Sequence, residues 1–201
     1  MVDVSDGAQI WGEQYNRTLD DIFTVQDAIS EQISTSLRLK LSSEDKSRLV
    51  KRHTDDSEAY QLYLKGRFYM GKRTGVALKT ALEYFQQAID KDQNYALAYA
   101  GIAECYALLP IYRILSAQES TPKAKAAALQ ALQIQEQLVE AHITLALTDD
   151  HYGWDSVAAE KSFGRAIELN PKLALGLAYG FLQKKMLKLA GRSIKKRAGL
   201  I

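Results

Sequence analysis

Residues 81–89, Ala81-Leu82-Glu83-Tyr84-Phe85-Gln86-Gln87-Ala88-Ile89, hold the pattern that decides the fold. Ala81, Phe85 and Ala88 lie four and three residues apart, so they share one face of a helix, with a large ring set between two small side chains. Outward from this stretch the same register returns. Ala81, Phe85, Ala88 and Gln93 are followed by Ala124, Ala128, Ala131 and Glu136, and then by Ala159, Phe163, Ala166 and Pro171. Ala88 to Ala131 spans 43 residues and Ala131 to Ala166 spans 35. A recurrence on the scale of a helix pair marks a solenoid, in which each unit buries its apolar face on the next. Such stacks form curved binding surfaces more readily than reaction centres.

Each seam helix needs a partner before it. The first unit pairs a helix over 59–70, carrying Leu62, Gly66 and Tyr69, with a second over 75–91. Gly66, Ala81 and Ala88 let the two backbones approach, while Tyr69 and Phe85 fill the wider gaps. In the second unit Tyr99, Ile102, Ala103 and Tyr106 repeat the first-helix pattern ahead of Ala124, Ala128 and Ala131. An insertion, Leu108 to Pro122, separates the two; its residues Leu109, Ile111, Tyr112, Ile114 and Leu115 predict an extended or packed loop. The third unit offers Leu145 and Ala146, then a link over 149–155 in which Trp154 is expected to anchor on the core, then Ala159, Phe163 and Ala166.

In stacked helix pairs the first helices line the concave side. Residues offset from the seam therefore face the groove: Tyr60, Tyr63, Arg67 and Met70, then Leu97, Ala100 and Glu104, then Glu140, Ile143 and Leu147. Tyr and Arg suit an interface because they offer large contact area with a polar end. Tyr60 and Tyr63 have a second reading, as side chains packing on a preceding helix around Leu49.

These residues resemble tetratricopeptide repeats, above all Gly66-Arg67-Phe68-Tyr69, residues 81–89 and Phe163-Gly164-Arg165-Ala166-Ile167-Glu168-Leu169-Asn170-Pro171. The likeness covers roughly residues 58–171 in three units, about 58–93, 94–136 and 137–171. It implies a mostly α architecture, an α-α superhelix of helical hairpins. The scaffold positions are then Gly66, Tyr69, Ala81, Phe85, Ala88, Ala103, Tyr106, Ala124, Ala131, Ala146, Ala159, Phe163, Ala166 and Pro171. The pattern is departed from at Lys65, where Leu is usual, at Gln93 and Glu136, where Pro is usual, at Ala128 in place of an aromatic residue, and at His142 and Asp149. The basic and Asn residues with which some family members clamp a terminal carboxylate are missing.

Residues 1–53 differ in kind. Val2-Asp3-Val4, the turn residues Ser5-Asp6-Gly7-Ala8 and the stretch Gln9 to Tyr15 predict a β-hairpin. Ile22, Val25, Ile29, Ile33, Leu37 and Leu41 then mark one face of a helix that carries Asp20 and Asp21 in its first turn. Together these residues resemble the end of a TolB-like α/β domain. In bacterial signalling proteins that domain precedes tetratricopeptide repeats, behind a protein kinase, adenylate cyclase or winged-helix domain. Two strands are marginal alone, so further strands are expected upstream. The polar bend Thr54-Asp55-Asp56-Ser57 marks the boundary.

The chain has 201 residues, 47% hydrophobic and 25% charged, ordinary globular material. It has no run of about 18 apolar residues, and acids stand near Met1 where a secretory signal carries basic charge, so a cytoplasmic location without membrane contact is expected. Cys105 is the single cysteine. It falls in a repeat helix beside Tyr106, which predicts a buried, inert thiol. After Glu168 no acid occurs, while residues 172–197 supply eight basic side chains, so the 172–201 tail is electrostatically distinct. It reads as a capping helix, a disordered end, or a basic segment for nucleic acid or anionic lipid.

No phosphate-binding glycine loop is present, and His53, His142 and His151 lack zinc-helix spacing. Asp149-Asp150-His151-Tyr152-Gly153 reads as a solvated turn before it reads as a metal loop. The expected function is therefore a non-catalytic protein-protein interaction scaffold from a bacterial signalling or transcription-regulatory protein. It takes no cofactor or metal; its partner is a protein or peptide, and open ends invite self-association. The competing expectations are nucleic-acid binding through the basic tail and a fragment of a multidomain kinase or cyclase whose catalytic domain is absent.

Overall fold

The computed structural model describes residues 53–151 and 155–174, together with Ile29. The expected N-terminal hairpin, the body of the 20–41 helix, Leu49, Trp154 and the tail from residue 175 lie outside the described residues. Two compact units divide the chain, Met1–Glu58 and Ala59–Ile201. The repeats fall in the second. Six helices follow in order: α1 Ser57–Gly71, α2 Gly75–Lys91, α3 Ala96–Leu108, α4 Ala117–Ile134, α5 Val139–His151 and α6 Ser156–Leu169. A further helical turn opens over 171–174, and no strand occurs among the described residues.

Helix starts are set by side-chain oxygens that accept from otherwise orphaned N–H groups. Thr74 Oγ1 accepts from Ala77 N at 3.2 Å ahead of α2, and Asp155 Oδ1 accepts from Ala158 N at 3.0 Å ahead of α6. Asn170 Oδ1 accepts from Leu173 N at 3.0 Å, with Pro171 at the first helical position, where its missing N–H costs nothing. At α4 the cap is reciprocal: Ser116 Oγ accepts from Glu119 N at 3.2 Å, and Glu119 Oε2 accepts from Ser116 N at 3.1 Å. This corrects the expected loop over 108–122, because the box starts α4 at Ala117 and takes Pro122 inside the helix at its sixth position. The remaining loop is packed. Leu109 is buried, Tyr112, Ile114 and Leu115 rest on the core, and Ile111 stays exposed.

Consecutive helices pack as adjacent pairs, and α3 also meets α5 across the stack. The α1–α2 seam closes on Phe85, which is fully buried between two glycines on different helices. A Cβ on Gly66 of α1 would stand 2.6 Å from the Phe85 ring, and one on Gly101 of α3 2.7 Å from it. The ring thus occupies the room left by two missing side chains. Farther along, Tyr69 stacks on Tyr84 at 5.4 Å. Around α4 the buried cluster is mostly alanine: Ala128 and Ala131 join Ala96, Ala100, Ala103 and Ala141, with Leu138 and Leu145 completing it. In the last pair Ala159, Phe163 and Ala166 are fully buried, as is Ala146 facing them from α5.

Candidate protein interaction surface

The inner face of the first helices brings together one polar cluster. Tyr63 and Arg67 stand one turn apart on α1, close enough for the guanidinium to act on the phenol. Across the interhelix gap Arg67 Nη1 lies 4.0 Å from Glu104 Oε2 of α3. Glu104 is buried although it is the one charged residue in α3. Burial pushes its carboxyl above the usual range; Arg67 and Arg73 pull it back, and Glu140 of α5 pushes it further. Burial likewise raises the Tyr63 phenol to about 12, against the opposing pull of Arg67. For Arg67 burial acts downward, but Tyr63, Glu104 and Glu140 together hold its guanidinium charged. Arg73 sits at the α1–α2 turn with φ 52, a left-handed residue that brings its charge back toward this cluster.

Beneath Tyr63 the rings are dense. Tyr63 lies 5.7 Å from Phe85 and 5.2 Å from Tyr95, centroid to centroid. Tyr95 is wholly buried and its hydroxyl has no hydrogen-bond partner, an unmet donor of the kind that costs about 1–3 kcal/mol.

The inner-face candidates divide into two groups. Tyr63, Arg67, Glu104 and Glu140 act on one another electrostatically, and Tyr60 and Leu97 are half-buried beside them around Ala59, Ala88 and Tyr95. Met70, Ile143 and Leu147, expected to face the groove, are buried in the core cluster with Phe85, Phe163 and Ala166. Ala100 is buried in the alanine seam. Helical register puts these four on the right side of their helices, but the helices lie close enough for neighbouring side chains to cover them.

A second correction concerns Asp149 and Asp150. They belong to the last turn of α5 and are buried, not a solvated turn. Lys125 of α4 donates to Asp149 Oδ1 at 2.8 Å, a partner 24 residues upstream that local reading does not supply. Cys105 is buried, and burial pushes its thiol far above the ordinary range, which holds it in the unreactive protonated form. Among the described residues no group of three or more His, Cys, Asp or Glu side chains is placed to hold a metal ion, and no helix is long and apolar enough to cross a membrane.

A broad open cleft of about 970 Å³ is lined by residues of α4, α5 and α6 and of the α4–α5 turn. His142 and Leu145 of α5 line it together with Leu132, Glu136, Val157 and Arg165. His142 Nε2 lies 3.0 Å from the Glu136 carbonyl, joining α5 to the end of α4. Burial lowers its imidazole, with the Glu136 carbonyl acting the other way.

Three features escaped sequence reasoning. The Ser116-Ala117-Gln118-Glu119 box was legible as Ser-x-x-Glu, and Gly101 was legible as a glycine inside a helical run. Tyr95 had no signal, since nothing local says that its hydroxyl is enclosed.

No family model matches the sequence. Over 103 residues, 51% of this chain, it is 31% identical to the protein named "Putative adenylate cyclase 3" of Rhizobium meliloti (strain 1021). The matched part is 18% of that relative's length.

Proposed function

We propose that residues 58–171 are a tetratricopeptide-like protein interaction module, non-catalytic in itself, belonging to a multidomain bacterial signalling protein. The fold reading is supported by the three Ala-aromatic/Ala-Ala registers and the helix pairs they seam together. The signalling context is supported by the likeness to a relative named for adenylate cyclase; any cyclase activity is proposed to reside outside the matched repeats. The observation that carries the interaction reading is the polar cluster of Tyr63, Arg67 and Glu104 laid over an otherwise close-packed seam. A buried carboxylate there lowers stability, and a surface that keeps such a group serves recognition in preference to packing.

The test is selection of binding peptides against the whole chain, followed by mapping on variants. Arg67→Ala and Tyr63→Ala are expected to weaken selected binders at least tenfold, while Gln87→Ala on the exposed face of α2 leaves them unchanged. Binders that map to α2, α4 and α6 alone would overturn the inner-face reading. The purified chain is also expected to form no cyclic nucleotide from ATP, and turnover above background would overturn the non-catalytic reading. Nucleic-acid binding by the tail rests on residues outside those described, and no observation favours it.

A further inference from the structure

We propose that the exposed face of α1 bearing Leu64, Lys65 and Phe68, with Lys72 in the turn that follows, is a second docking surface that takes an acidic amphipathic helix of a partner protein. An apolar side chain of that helix seats on Phe68 and its carboxylates pair the two lysines. None of these four residues belongs to the inner-face cluster, so the proposal stands apart from the reading of Tyr63 and Arg67.

Leu64 and Phe68 stand one turn apart on α1, and both are exposed, the phenyl ring to 63%. A single apolar side chain in water is ordinary, but two in register form a stripe. The Phe68 ring meets Tyr69 edge-on at 5.4 Å, and Tyr69 stacks on Tyr84 of α2 at 5.4 Å, so three rings run from one helix onto the next. Tyr69 and Tyr84 are half-buried, which leaves Phe68 as the ring with surface to offer.

Two ammonium groups are held on these rings. Lys72 Nζ lies 4.6 Å from the centroid of Phe68 and 4.7 Å from that of Tyr69, and Lys65 Nζ lies 5.9 Å from that of Tyr84. Lys72 is fixed further by its backbone N–H, which donates to the Tyr69 carbonyl at 3.1 Å. Neither lysine is ion-paired with a carboxylate among the described residues, and Glu83, next to Tyr84 in sequence, pairs with neither. Arg73 is not counted with them, because its charge acts on Glu104. The rings thus position two cations without neutralising them, which favours an occupant that brings carboxylates. A second copy of the chain is disfavoured, since it would set four ammonium groups around two phenyl rings. A nucleic acid is disfavoured too: bases stack on open ring faces, and here Lys72 already stands over Phe68 and Tyr69 while Tyr84 is stacked on Tyr69.

Spacing selects a helix. Lys65 and Lys72 are seven residues apart with Phe68 between them, two helical turns or roughly 10 Å of axis. A helix with carboxylates at i and i+7 and an apolar residue at i+3 or i+4 repeats that spacing when it lies alongside α1.

The experiment selects peptides on the whole 201-residue chain from a display library of single helices about five turns long, randomised over acidic, basic and apolar residues. Binding constants are then measured by fluorescence anisotropy on wild type, Phe68→Ala, Leu64→Gln, the pair Lys65→Gln with Lys72→Gln and, as a control, Leu129→Ala at an exposed apolar position of α4, each first shown by circular dichroism to be folded. Peptides that need Phe68 are expected to carry Asp or Glu seven residues apart with an apolar residue between. They should weaken at least tenfold on Phe68→Ala, about fivefold on the double lysine variant, as two exposed ion pairs allow, and less than twofold on Leu129→Ala. Should Phe68→Ala fail to fold, Leu64→Gln takes its place. Phe68-dependent peptides that are basic or neutral, or acidic ones indifferent to the loss of both lysines, would overturn the proposal. Self-association in sedimentation that disappears with Phe68→Ala would overturn it in favour of a second copy, and oligothymidylate that binds wild type but not Phe68→Ala would do so in favour of nucleic acid. If no selected peptide depends on Phe68 the proposal falls, while peptides that depend on Arg67 alone leave the inner-face module standing.

Discussion

The seam of the first helix pair and that of the second occupy the same register and solve the packing problem in opposite ways. At Phe85 one large ring is received by Gly66 and Gly101, so volume is concentrated in one residue and removed from two. At Ala128, which stands where Phe85 does in the repeat, the buried cluster is built from Ala96, Ala100, Ala103, Ala131 and Ala141 with Leu138 and Leu145, and no aromatic ring is buried in it. The two seams thus reach close packing with different residues at the same register position. Constancy of packing density is the physical reason.

The most severe way to break the first arrangement is Phe85→Ala, which empties a space that two glycines cannot refill. A loss of about 3–5 kcal/mol is expected in urea denaturation. The second arrangement is probed by Ala128→Phe, which restores the large residue usual at this position. With no glycine to receive it, the ring is expected to cost about 1–3 kcal/mol, and a stabilised variant would show that the alanine seam holds a void. The comparison is sharpened by Gly66→Ala, also expected to cost about 1–3 kcal/mol but to be relieved when Phe85→Leu is combined with it, a coupling that a double-mutant cycle measures. Ser116→Ala removes one half of the α4 box at its exposed start and should cost about 1 kcal/mol.

The smallest expected effect separates the polar junction from both seams. Because the Glu104 carboxyl is raised in the folded protein, folding favours its protonated form, and stability contributed by that proton is lost as pH rises from the ordinary carboxylate value through the raised one. Glu104→Gln is therefore expected to be the more stable protein at neutral pH and to match wild type near pH ~3, below the ordinary value of about 4.3. Equal pH profiles for the two proteins would show that Arg67 already neutralises the carboxylate in full.

The seams were the part of the fold most legible in the chain, because the spacing of Ala81, Phe85 and Ala88 is a property of one helix and needs no distant partner. Even the ends of α2, Gly75 and Lys91, could be read locally. The inner face was legible only as a direction. Periodicity puts Ile143 and Leu147 on the side facing the neighbouring first helix, yet depth depends on how near that helix comes, and both are covered. Asp149 and Asp150 show the same limit for polar residues. Two adjacent acids before Tyr and Gly look like turn chemistry until Lys125 of a different helix is placed beside them. Pro122 misled in the other direction, since a proline suggests a boundary while the stronger Ser116–Glu119 signal had already opened the helix.

The contact between Ile114 and Gly75 has a mechanical consequence. A stack of hairpins joined only to nearest neighbours peels from its ends, one unit at a time. Here the loop between α3 and α4 sends Ile114 back onto the first residue of α2, where even a methyl group would collide with it. That strap ties the start of α2 to the loop that joins α3 to α4. In native-state hydrogen exchange these helices should open together, while α6, which has no such fastening among the described residues, opens earlier and at lower free energy.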